Sequence, residues 1–437
     1  MSSKASIVAI VGRANVGKSS LFNAVLGRRE AIVADEPGTT RDSIMAKATW
    51  GHKDFWLVDT AGLKTAADDF ELTIQEQITE AAAAANFIIV VVEANVSITE
   101  EDRRVAKMAL KSTKPVMLVI NKHDKNKQLL LSDYARLGIK NIVATSVSQK
   151  TGLDELLDML AAQLPPARIR EAADRIHVGI LGRPNVGKSA LFNALAKKQQ
   201  AIVADRAGTT RDVNRTTVKY NGREIELMDT AGIRRSGKIG RGVEHFSVLR
   251  SLAVIEDSDV CLLLMDAGEL NVQLDQKIAG MIKEAGKGLV LVVSKWDSLD
   301  KDAYTRDALA PQIAANFEFV PWASLIFTSS ITGQNVTKIF DLISDIAVAR
   351  LQKFKTPELN NWLRHVVNEH PPAGLKNRSP KLNYIVQEND IDMPSFKVFG
   401  AHTKFLHWSY KRYMERKFRE KWPLDGTALK FWFIEKH

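Results

Sequence analysis

The chain has 437 residues and a mass of 48.5 kDa, a length that predicts about three domains. Its residues are 45% hydrophobic and 26% charged, which excludes a disordered or fibrous chain. The longest apolar runs, such as 87–92 and 260–265, are far shorter than the roughly 18 residues that cross a bilayer. The run 7–11 is too short for a signal peptide, and the single cysteine, Cys261, excludes an intrachain disulfide and is predicted to be a packed thiol. We therefore predict a soluble cytosolic protein with no membrane span.

The formal net charge of +10 is concentrated near the C-terminus. Residues 350–437 contain 17 Lys and Arg against 9 Asp and Glu, a balance of +8, so the first 349 residues carry only +2. Such asymmetry is typical of a module that faces a polyanion. A solvated surface is the alternative, and charge alone does not separate the two.

An internal repeat organises the chain. An offset of 170 residues relates G-R-A-N-V-G-K-S at 12–19 to G-R-P-N-V-G-K-S at 182–189, G-T-T-R-D at 38–42 to 208–212, and D-T-A-G at 59–62 to 229–232. A fourth pair, N-K-H-D at 121–124 and S-K-W-D at 294–297, has an offset of 173. Two copies of one domain explain this pattern, with three residues inserted in the second copy.

Each copy alternates β-rich apolar runs with helical patterns. In the first copy the predicted strands are 7–11, 54–58, 87–92, 116–120 and 142–145, and helical patterns include 21–26 and 153–164. The second copy begins with strand 177–181 and closes with helix 336–351. This alternation predicts an α/β fold in which a mainly parallel sheet carries helices on both faces.

The predicted domains are residues 1–165 and 176–352, joined by a linker at 166–175, followed by a basic module at 353–437. The first boundary follows from Pro165 and Pro166, which cannot continue a helix. In the module, 384–386 and 397–399 are predicted strands and 407–422 a basic helix, which indicates a small α+β fold. The helix interleaves Trp, Tyr and Phe with Lys and Arg, and we assign its aromatic residues to a core and its charges to RNA.

The sequence G-x-x-x-x-G-K-S after a strand is a phosphate-binding P-loop. Its glycines let backbone N–H groups point at the phosphates, its lysine reaches the β- and γ-phosphates, and its serine ligates Mg²⁺. These positions are Gly12, Gly17, Lys18 and Ser19 in the first copy and Gly182, Gly187, Lys188 and Ser189 in the second. Two matches at one repeat spacing exclude an ordinary glycine-rich turn.

The D-T-A-G segments predict the metal and γ-phosphate contacts. Asp59 and Asp229 end apolar strands, where a carboxylate can hold Mg²⁺ through water, and Gly62 and Gly232 leave a backbone N–H for the γ-phosphate. A threonine of each Thr-Thr pair is expected to close on Mg²⁺ when the γ-phosphate is present. Spacing leaves open which threonine does so, and we assign Thr40 and Thr210, with the two P-loop lysines, to the catalytic set.

The fourth motif predicts guanine specificity. A carboxylate accepts two hydrogen bonds from guanine that adenine does not offer, and Asp124 and Asp297 take this role. This argues against a tandem ATPase. Lys122 and Lys295 would lay their aliphatic stems along the purine ring.

Two GTPase domains followed by a small basic module resemble the EngA/Der family, the double-Era-like GTPases of ribosome assembly. The resemblance implies a C-terminal KH-like domain, GTP hydrolysis, and association with the large ribosomal subunit and its rRNA during maturation, in the bacterial cytosol or an organelle. It implies GTP or GDP and Mg²⁺ as ligands, and we expect a monomer. A tRNA-modification GTPase is the alternative enzyme class, but no length is left for a modification domain, and intact P-loops argue against a non-hydrolysing scaffold.

The chain departs from the family pattern at several positions. Ser294 replaces the asparagine that Asn121 provides in the first copy, and Ser146–Val147 and Ser329–Ser330 stand where the family has Ser-Ala, which supplies a backbone N–H to the guanine. No G-x-x-G loop occurs after residue 350, although such a loop clamps nucleic acid in ordinary KH domains.

The water-positioning glutamine of many GTPases is also missing. Leu63 and Ile233 occupy its places, so we expect slow intrinsic hydrolysis. Asn15 and Asn185 match the asparagine that coordinates K⁺ in potassium-activated relatives, with a loop-capping role as the alternative. The second switch region, 234–241, is basic and glycine-rich.

Overall fold

A computed structural model gives the fold of the protein. It describes residues 5–27, 45–51, 53–62, 74–126, 130–164, 175–198, 214–229, 248–270, 272–302, 304–372, 378–389 and 393–435. The predicted linker therefore lies almost entirely outside the described residues, as do 38–42, 208–212 and 234–241.

The first domain is built on a six-stranded sheet. Its strands are β1 (Ser6–Val11), β2 (Met45–Trp50), β3 (Lys53–Asp59), β4 (Phe87–Glu93), β5 (Val116–Asn121) and β6 (Asn141–Ala144), in the order β2-β3-β1-β4-β5-β6. Strand β2 pairs antiparallel with β3, and all other neighbours are parallel. The sequence prediction missed β2, whose short alternation of small apolar and polar residues is a weak strand signal.

Helices cover both faces of this sheet. They are α1 (Lys18–Leu26), α2 (Ile74–Ala84), α3 (Glu100–Lys111) and α4 (Leu153–Gln163). One apolar cluster joins α1 and α4 to one face, and a second joins α2 and α3 to the other. The central strand β4 is buried over Phe87–Val92 because both faces are covered.

The second domain repeats this arrangement. Its strands are β7 (Arg175–Gly182), β8 (Asn214–Tyr220), β9 (Arg223–Asp229), β10 (Val260–Asp266), β11 (Gly288–Ser294) and β12 (Ser324–Phe327), in the order β12-β11-β10-β7-β9-β8. Its helices are α5 (Lys188–Lys198), α6 (Val248–Asp257), α7 (Gln273–Glu284), α8 (Thr305–Asn316) and α9 (Lys338–Arg350). Cys261 is buried in β10, as predicted. The predicted fold, two mainly parallel sheets with helices on both faces, is confirmed.

The described residues of the C-terminal module form three strands and two long helices. They are α10 (Thr356–Glu369), β13 (Lys381–Gln387), β14 (Ser395–Ala401), α11 (Trp408–Lys421) and β15 (Lys430–Glu435). Strand β14 pairs antiparallel with β13 and parallel with β15. Helix α10 and strand β15 were not predicted, so the small α+β module has more regular structure than its sequence pattern indicated.

The core of the module tests the assignment of the aromatic residues on α11. Tyr410 and Phe418 are buried, as the core interpretation predicts, and Phe418 packs edge-on against Trp362 of α10. Trp408 is 42% exposed, so its assignment to the core is wrong. It lies at the first position of α11.

The module docks against the amino ends of the second domain's strands. Gly426 donates its N–H to Trp322 O at 2.6 Å and accepts from Leu289 N at 2.7 Å. A Cβ on Gly426 would lie 2.3 Å from Ile346 Cδ1, so this contact requires glycine. The nucleotide edge, at the carboxyl ends of the strands, is therefore left uncovered by this contact.

The two G domains pack through equivalent helices. Helix α2 contacts α6, and Arg250 of α6 forms an ion pair with Glu80 of α2. One apolar cluster runs through this interface and includes Ile78 and Ala81 on one side and Leu252 on the other. Since α2 and α6 follow the two D-T-A-G segments in the chain, the segments behind both switch loops are in direct contact.

Candidate nucleotide-binding sites

The predicted motifs converge at the carboxyl edge of each parallel sheet. The P-loops connect β1 to α1 and β7 to α5, the aspartates Asp59 and Asp229 end β3 and β9, and the base motifs follow β5 and β11. Ligands of open α/β sheets bind at this edge, where loops leave the strand ends. In each sheet, the P-loop, the aspartate and the base motif therefore lie together at the carboxyl edge.

The P-loop lysines are held by main-chain oxygens. Lys18 Nζ donates to Gly12 O at 2.8 Å and to Arg13 O at 2.7 Å, and its side chain is buried. Lys188 Nζ donates to Gly182 O at 2.9 Å and to Arg183 O at 2.5 Å. These contacts position each ammonium group inside the loop, at the N-terminus of a helix that favours anions.

Each P-loop serine lies beside the aspartate of the D-T-A-G segment. Ser19 Oγ donates to Asp59 Oδ2 at 2.5 Å, and Ser189 Oγ donates to Asp229 Oδ2 at 3.2 Å. Both carboxylates are buried, whereas both serines are exposed. Hydroxyl and carboxylate oxygens are the hard ligands that Mg²⁺ prefers, so the donor set fits this ion.

The base motif of the first domain is tied directly to its P-loop. Asn121 Nδ2 donates to Val16 O at 3.0 Å. Gly17 has φ +93°, and a Cβ there would lie 2.4 Å from Asn121 Nδ2. Both the left-handed backbone and the close amide therefore require glycine at this position.

Serine makes the equivalent contact in the second domain. Ser294 Oγ lies 2.6 Å from Val186 O and 2.9 Å from Met265 O, and its single hydrogen can bond to one of the two at a time. A Cβ on Gly187 would lie 4.0 Å from Ser294 Oγ. The tie between the base motif and the P-loop is thus kept, with more room around it than in the first domain.

Serine hydroxyls lower the pKa of both carboxylates that are predicted to read guanine. Asp124 accepts from Ser146 Oγ at 2.5 Å and from Ser148 Oγ at 3.2 Å. The Ser146 hydroxyl lowers the pKa of Asp124, and the Ser329 hydroxyl lowers the pKa of Asp297. A charged carboxylate is the form that accepts two N–H groups of guanine, so both shifts favour base recognition.

The lysines of the base motifs turn back toward the P-loop. Lys122 and Lys295 adopt left-handed φ angles of 60° and 54°. Lys122 Nζ donates to Asn15 O at 2.9 Å and pairs with Glu93 at 3.1 Å. Lys295 Nζ pairs with Asp266 at 2.6 Å. The carboxylate at the end of β4 or β10 therefore orients the lysine beside the base site in both copies.

Sequence reasoning missed an ion pair between the arginine of each P-loop and a buried aspartate. Arg13 Nε lies 3.3 Å from Asp102 Oδ1, and Arg183 Nε lies 3.1 Å from Asp275 Oδ2. Both aspartates are buried on the first turn of α3 or α7. Burial raises the pKa of Asp275 to about 6 against the favourable charge of Arg183. The repeated arginine at the second position of both P-loops was the sequence signal.

The structure describes several of the remaining predicted residues, and five others lie outside its described ranges. Asn15 and Asn185 are exposed in the P-loops with left-handed φ angles of 63°, which also suits a loop-forming role. Ser146 and Ser329 are buried beside the base motifs, and Val147 and Ser330 follow them half-buried. Gly62 ends a short 3-10 turn after β3. Thr40, Thr210, Gly232, Leu63 and Ile233 lie outside the described residues.

Two kinds of feature are absent from the described residues. Among the described residues, no group of three or more His, Cys, Asp or Glu side chains could hold a metal ion. Besides the aspartate, serine, phosphate and water oxygens are the ligands that a Mg²⁺ ion would take in either site. Within the same part of the chain, no helix is long and apolar enough to cross a membrane.

Comparison with known proteins agrees with this geometry. A family model described as "50S ribosome-binding GTPase" matches residues 7–122 and 177–295, and one described as "KH-domain-like of EngA bacterial GTPase enzymes, C-terminal" matches 353–433. The "GTPase Der" of Chloroflexus aggregans is 41% identical over 432 residues, covering 97% of this chain and 96% of the relative. The "GTPase Der" of Lachnoclostridium phytofermentans is 40% identical over 435 residues, covering 99% and 98%.

Family, fold and site chemistry therefore agree. Both sheets carry the P-loop and guanine motifs, the two family models cover both G domains and the C-terminal module, and the relatives align over nearly their whole length. The protein binds guanine nucleotide as a GTPase switch and hydrolyses GTP to GDP and phosphate. The chain belongs to the EngA/Der family of GTPases.

Proposed function

We propose that this GTPase associates with the large ribosomal subunit and its rRNA in the cytoplasm, acts as a monomer, and is needed for subunit maturation. The family model for the G domains is described as ribosome-binding, which supports the partner. The observation that carries the proposal is the solvent-facing side of α11, where Lys411, Arg412 and Arg416 are exposed on a module of net charge +7.

The exposed cations of α11 lie against aromatic rings. The Arg412 guanidinium is 4.8 Å from the ring of the half-exposed Trp408, and Arg416 is 5.8 Å from the ring of Tyr413. Cations and exposed aromatic faces together are suited to RNA, because phosphates and unstacked bases are both recognised. In the proposed contact, this surface binds RNA in place of the G-x-x-G loop of ordinary KH domains.

The nucleotide sites supply the switch in this proposal. Lys18 and Lys188 hold the β- and γ-phosphates, and the Ser19–Asp59 and Ser189–Asp229 pairs hold Mg²⁺, with Asp124 and Asp297 reading guanine in the roles given above. Thr40 and Thr210 close on Mg²⁺ with the backbone N–H groups of Gly62 and Gly232 on the γ-phosphate. Because α2 packs on α6, ordering of either switch can act on the contact between the domains.

Potassium is proposed as a second cation. Asn15 and Asn185 would coordinate it beside the phosphates, where a positive charge compensates for the missing glutamine. Their exposed positions at the mouth of each P-loop leave the side chains accessible to an ion.

Co-sedimentation with purified large ribosomal subunits tests the partner. The full chain is mixed with subunits in the presence of a non-hydrolysable GTP analogue, GDP or no nucleotide, and pelleted through sucrose. Binding with the GTP analogue, and markedly less with GDP, is the expected result. Equal pelleting in all three states would contradict the switch, and no pelleting in any state would contradict the ribosomal partner, whereas the GTPase activity would stand in both cases.

A further inference from the structure

A cationic groove lies on the first domain, outside the nucleotide site. It runs between α3 and the 3-10 turn Leu131–Leu137, has a cavity volume of about 450 Å³, and is called the α3 groove. Its lining includes Arg103, Lys107, Lys111 and Arg136. All four side chains are exposed, and none of the described lining residues of this cavity is acidic.

A second cavity of about 540 Å³ continues the groove past Arg103 and Arg136. Its lining adds exposed polar side chains, including Asn95 and Ser97, and one carboxylate, Asp133. The combined surface therefore presents cations along one half, and amide, hydroxyl and exposed apolar groups, the last including Val96 and Leu130, along the other.

The cations are arranged at a cost to the helix. Arg103, Lys107 and Lys111 follow one another at i, i+4 on α3, and like charges at this spacing destabilise a helix by about 0.2–0.5 kcal/mol per pair. Arg103 has a partner in Glu100 at 3.5 Å, but Glu100 is 95% exposed. Lys111 lies in the last turn of α3, where the helix dipole favours a cation, so the uncompensated cost falls on Arg103 and Lys107.

The internal repeat supplies a control for this argument. Helix α7 is the second-domain copy of α3, and the offset of 173 places Gln276, Gly280 and Glu284 where α3 has its three cations. The same fold is thus built without a cationic stripe, so packing does not require the charges on α3.

The charge is also distributed unevenly along the sequence of the first domain. Residues 1–165 contain 20 Lys and Arg and 20 Asp and Glu, a net charge of zero. Residues 103–140 contain 10 Lys and Arg against 2 Asp and Glu. General solubility would not need such separation within a neutral domain.

We propose that the α3 groove binds the phosphodiester backbone of RNA, as a contact separate from that of the C-terminal module. Spaced cations bind phosphates, and neighbouring amide and hydroxyl groups suit the ribose hydroxyls that distinguish RNA. A membrane fits less well, because the groove is concave and the exposed apolar side chains among the described lining residues of its two cavities, Leu110, Val96 and Leu130, are outnumbered by charged and polar ones. The inference rests on the proposed function and assigns a second domain to RNA contact.

The test compares two triple variants of the full chain with the same change in charge. The groove variant is Lys107→Gln, Lys111→Gln and Arg136→Gln, and the control variant is Lys219→Gln, Arg223→Gln and Lys338→Gln on exposed positions of the second domain. Binding to a fluorescein-labelled RNA hairpin of about 16 base pairs, which presents two minor grooves, is followed by anisotropy from about 50 to 200 mM KCl. Thermal melting and GTP hydrolysis check that each variant is folded.

The groove variant should bind RNA about tenfold more weakly at low salt, and its slope of log K against log salt should fall by about 2 to 3, because three phosphate contacts are lost. The control variant should stay within about twofold of the unchanged protein by the same electrostatic reasoning. Equal weakening of both variants, or no change in the groove variant, would overturn the proposal. Binding of labelled poly-L-glutamate more tightly than RNA of equal charge, with the same loss in the groove variant, would instead indicate an acidic protein partner and also overturn it.

Large ribosomal subunits distinguish this failure from failure of the proposed function. If the unchanged protein pellets with subunits and the groove variant pellets equally well, the groove is not a contact, but the ribosomal partner stands. If the unchanged protein does not pellet at all, the proposed function fails, and the hairpin measurement still decides whether the groove binds RNA.

Discussion

The indole Nε1 of Trp56 in the first domain donates a 2.6 Å hydrogen bond to Oε1 of Glu256 in the second domain, and both side chains are buried. The other carboxylate oxygen, Oε2, accepts the backbone N–H of Ala5 at 3.1 Å. Both oxygens of a second-domain carboxylate are therefore hydrogen-bonded by the first domain. Because an unsatisfied buried carboxylate is costly, this contact favours one docked arrangement of the domains.

Trp56→Phe should weaken the docking of the G domains. The change keeps an aromatic ring but leaves Glu256 Oε1 without its donor, at an expected cost of about 1.5–3 kcal/mol. Small-angle scattering should show a larger radius of gyration, and the melting temperature should fall. Trp50→Phe is the matched control, since Trp50 Nε1 donates to Asp158 within the first domain at 2.8 Å. If both variants expand equally, or neither does, the interdomain bond does not govern docking.

The strands and sites of the G domains could be predicted because each depends on local patterns. The apolar run 87–92 lies in β4. Lys18, Ser19 and Asp59 lie close together, as their motifs predict. The carboxyl ends of parallel strands meet at one edge, so motifs that follow separate strands are brought together by the fold itself.

Contacts between units could not be predicted from the same patterns. Glu256 resembles any helix-end carboxylate in the sequence, and its partner Trp56 is 200 residues away. Gly426 gives no motif, yet its lack of a Cβ permits the docking of the C-terminal module. Such contacts depend on tertiary packing, which spacing within one segment does not encode.

Ser294→Asn should tighten guanine-nucleotide binding in the second domain. An amide reaches further than the hydroxyl, and the space beside Gly187 accommodates it, so one improved hydrogen bond should contribute about 1 kcal/mol. Titration calorimetry with GDP measures this after Lys18→Ala has disabled the first site. Asn121→Ser in a chain with Lys188→Ala is the reciprocal control and should weaken binding. Unchanged affinity in the Ser294→Asn variant would show that serine is already an adequate tie to the P-loop.

GTP hydrolysis should be faster in KCl than in NaCl at matched ionic strength. The reason is that K⁺ held by Asn15 and Asn185 would stabilise charge in the transition state where no glutamine is present. Steady-state phosphate release measures the rates. The double variant Asn15→Ala and Asn185→Ala should lose the difference between the salts and keep the NaCl rate. Equal rates of the unchanged protein in both salts would contradict potassium activation.

Lys430→Met should stabilise the protein more at neutral than at alkaline pH. Burial lowers the pKa of Lys430 from 10.5 to about 8, so the folded state disfavours the charged form. The stability associated with the neutral amine is present above pH 10.5 and is lost as the pH falls through about 8, which amounts to about 3 kcal/mol. Melting temperatures at about pH 7 and pH 10.5 should show a gain for Lys430→Met that is larger at pH 7.

A gain that does not depend on pH would mean that the methionine acts through packing alone. Lys421→Met is a suitable control, because Lys421 is also close to an aromatic ring, 4.6 Å from that of Trp422, but it is exposed. Its effect on melting should be small and should not change between the two pH values.

The C-terminal module should contribute to subunit binding through α11 but not to hydrolysis. Lys411→Gln, Arg412→Gln and Arg416→Gln remove exposed cations, whereas Lys417 is kept because it pairs with Glu369 of α10 at 2.8 Å and supports the module. Subunit binding should weaken about tenfold at low salt, and the slope of log K against log salt should fall by about 2 to 3, because counterion release scales with the number of phosphates neutralised.

The control variant Lys219→Gln, Arg223→Gln and Lys338→Gln should bind normally. GTP hydrolysis should be unchanged in both, since α11 lies on the module that docks at the amino ends of the second sheet, away from the P-loops. Normal subunit binding by the α11 variant would show that its cations are only a solvated surface.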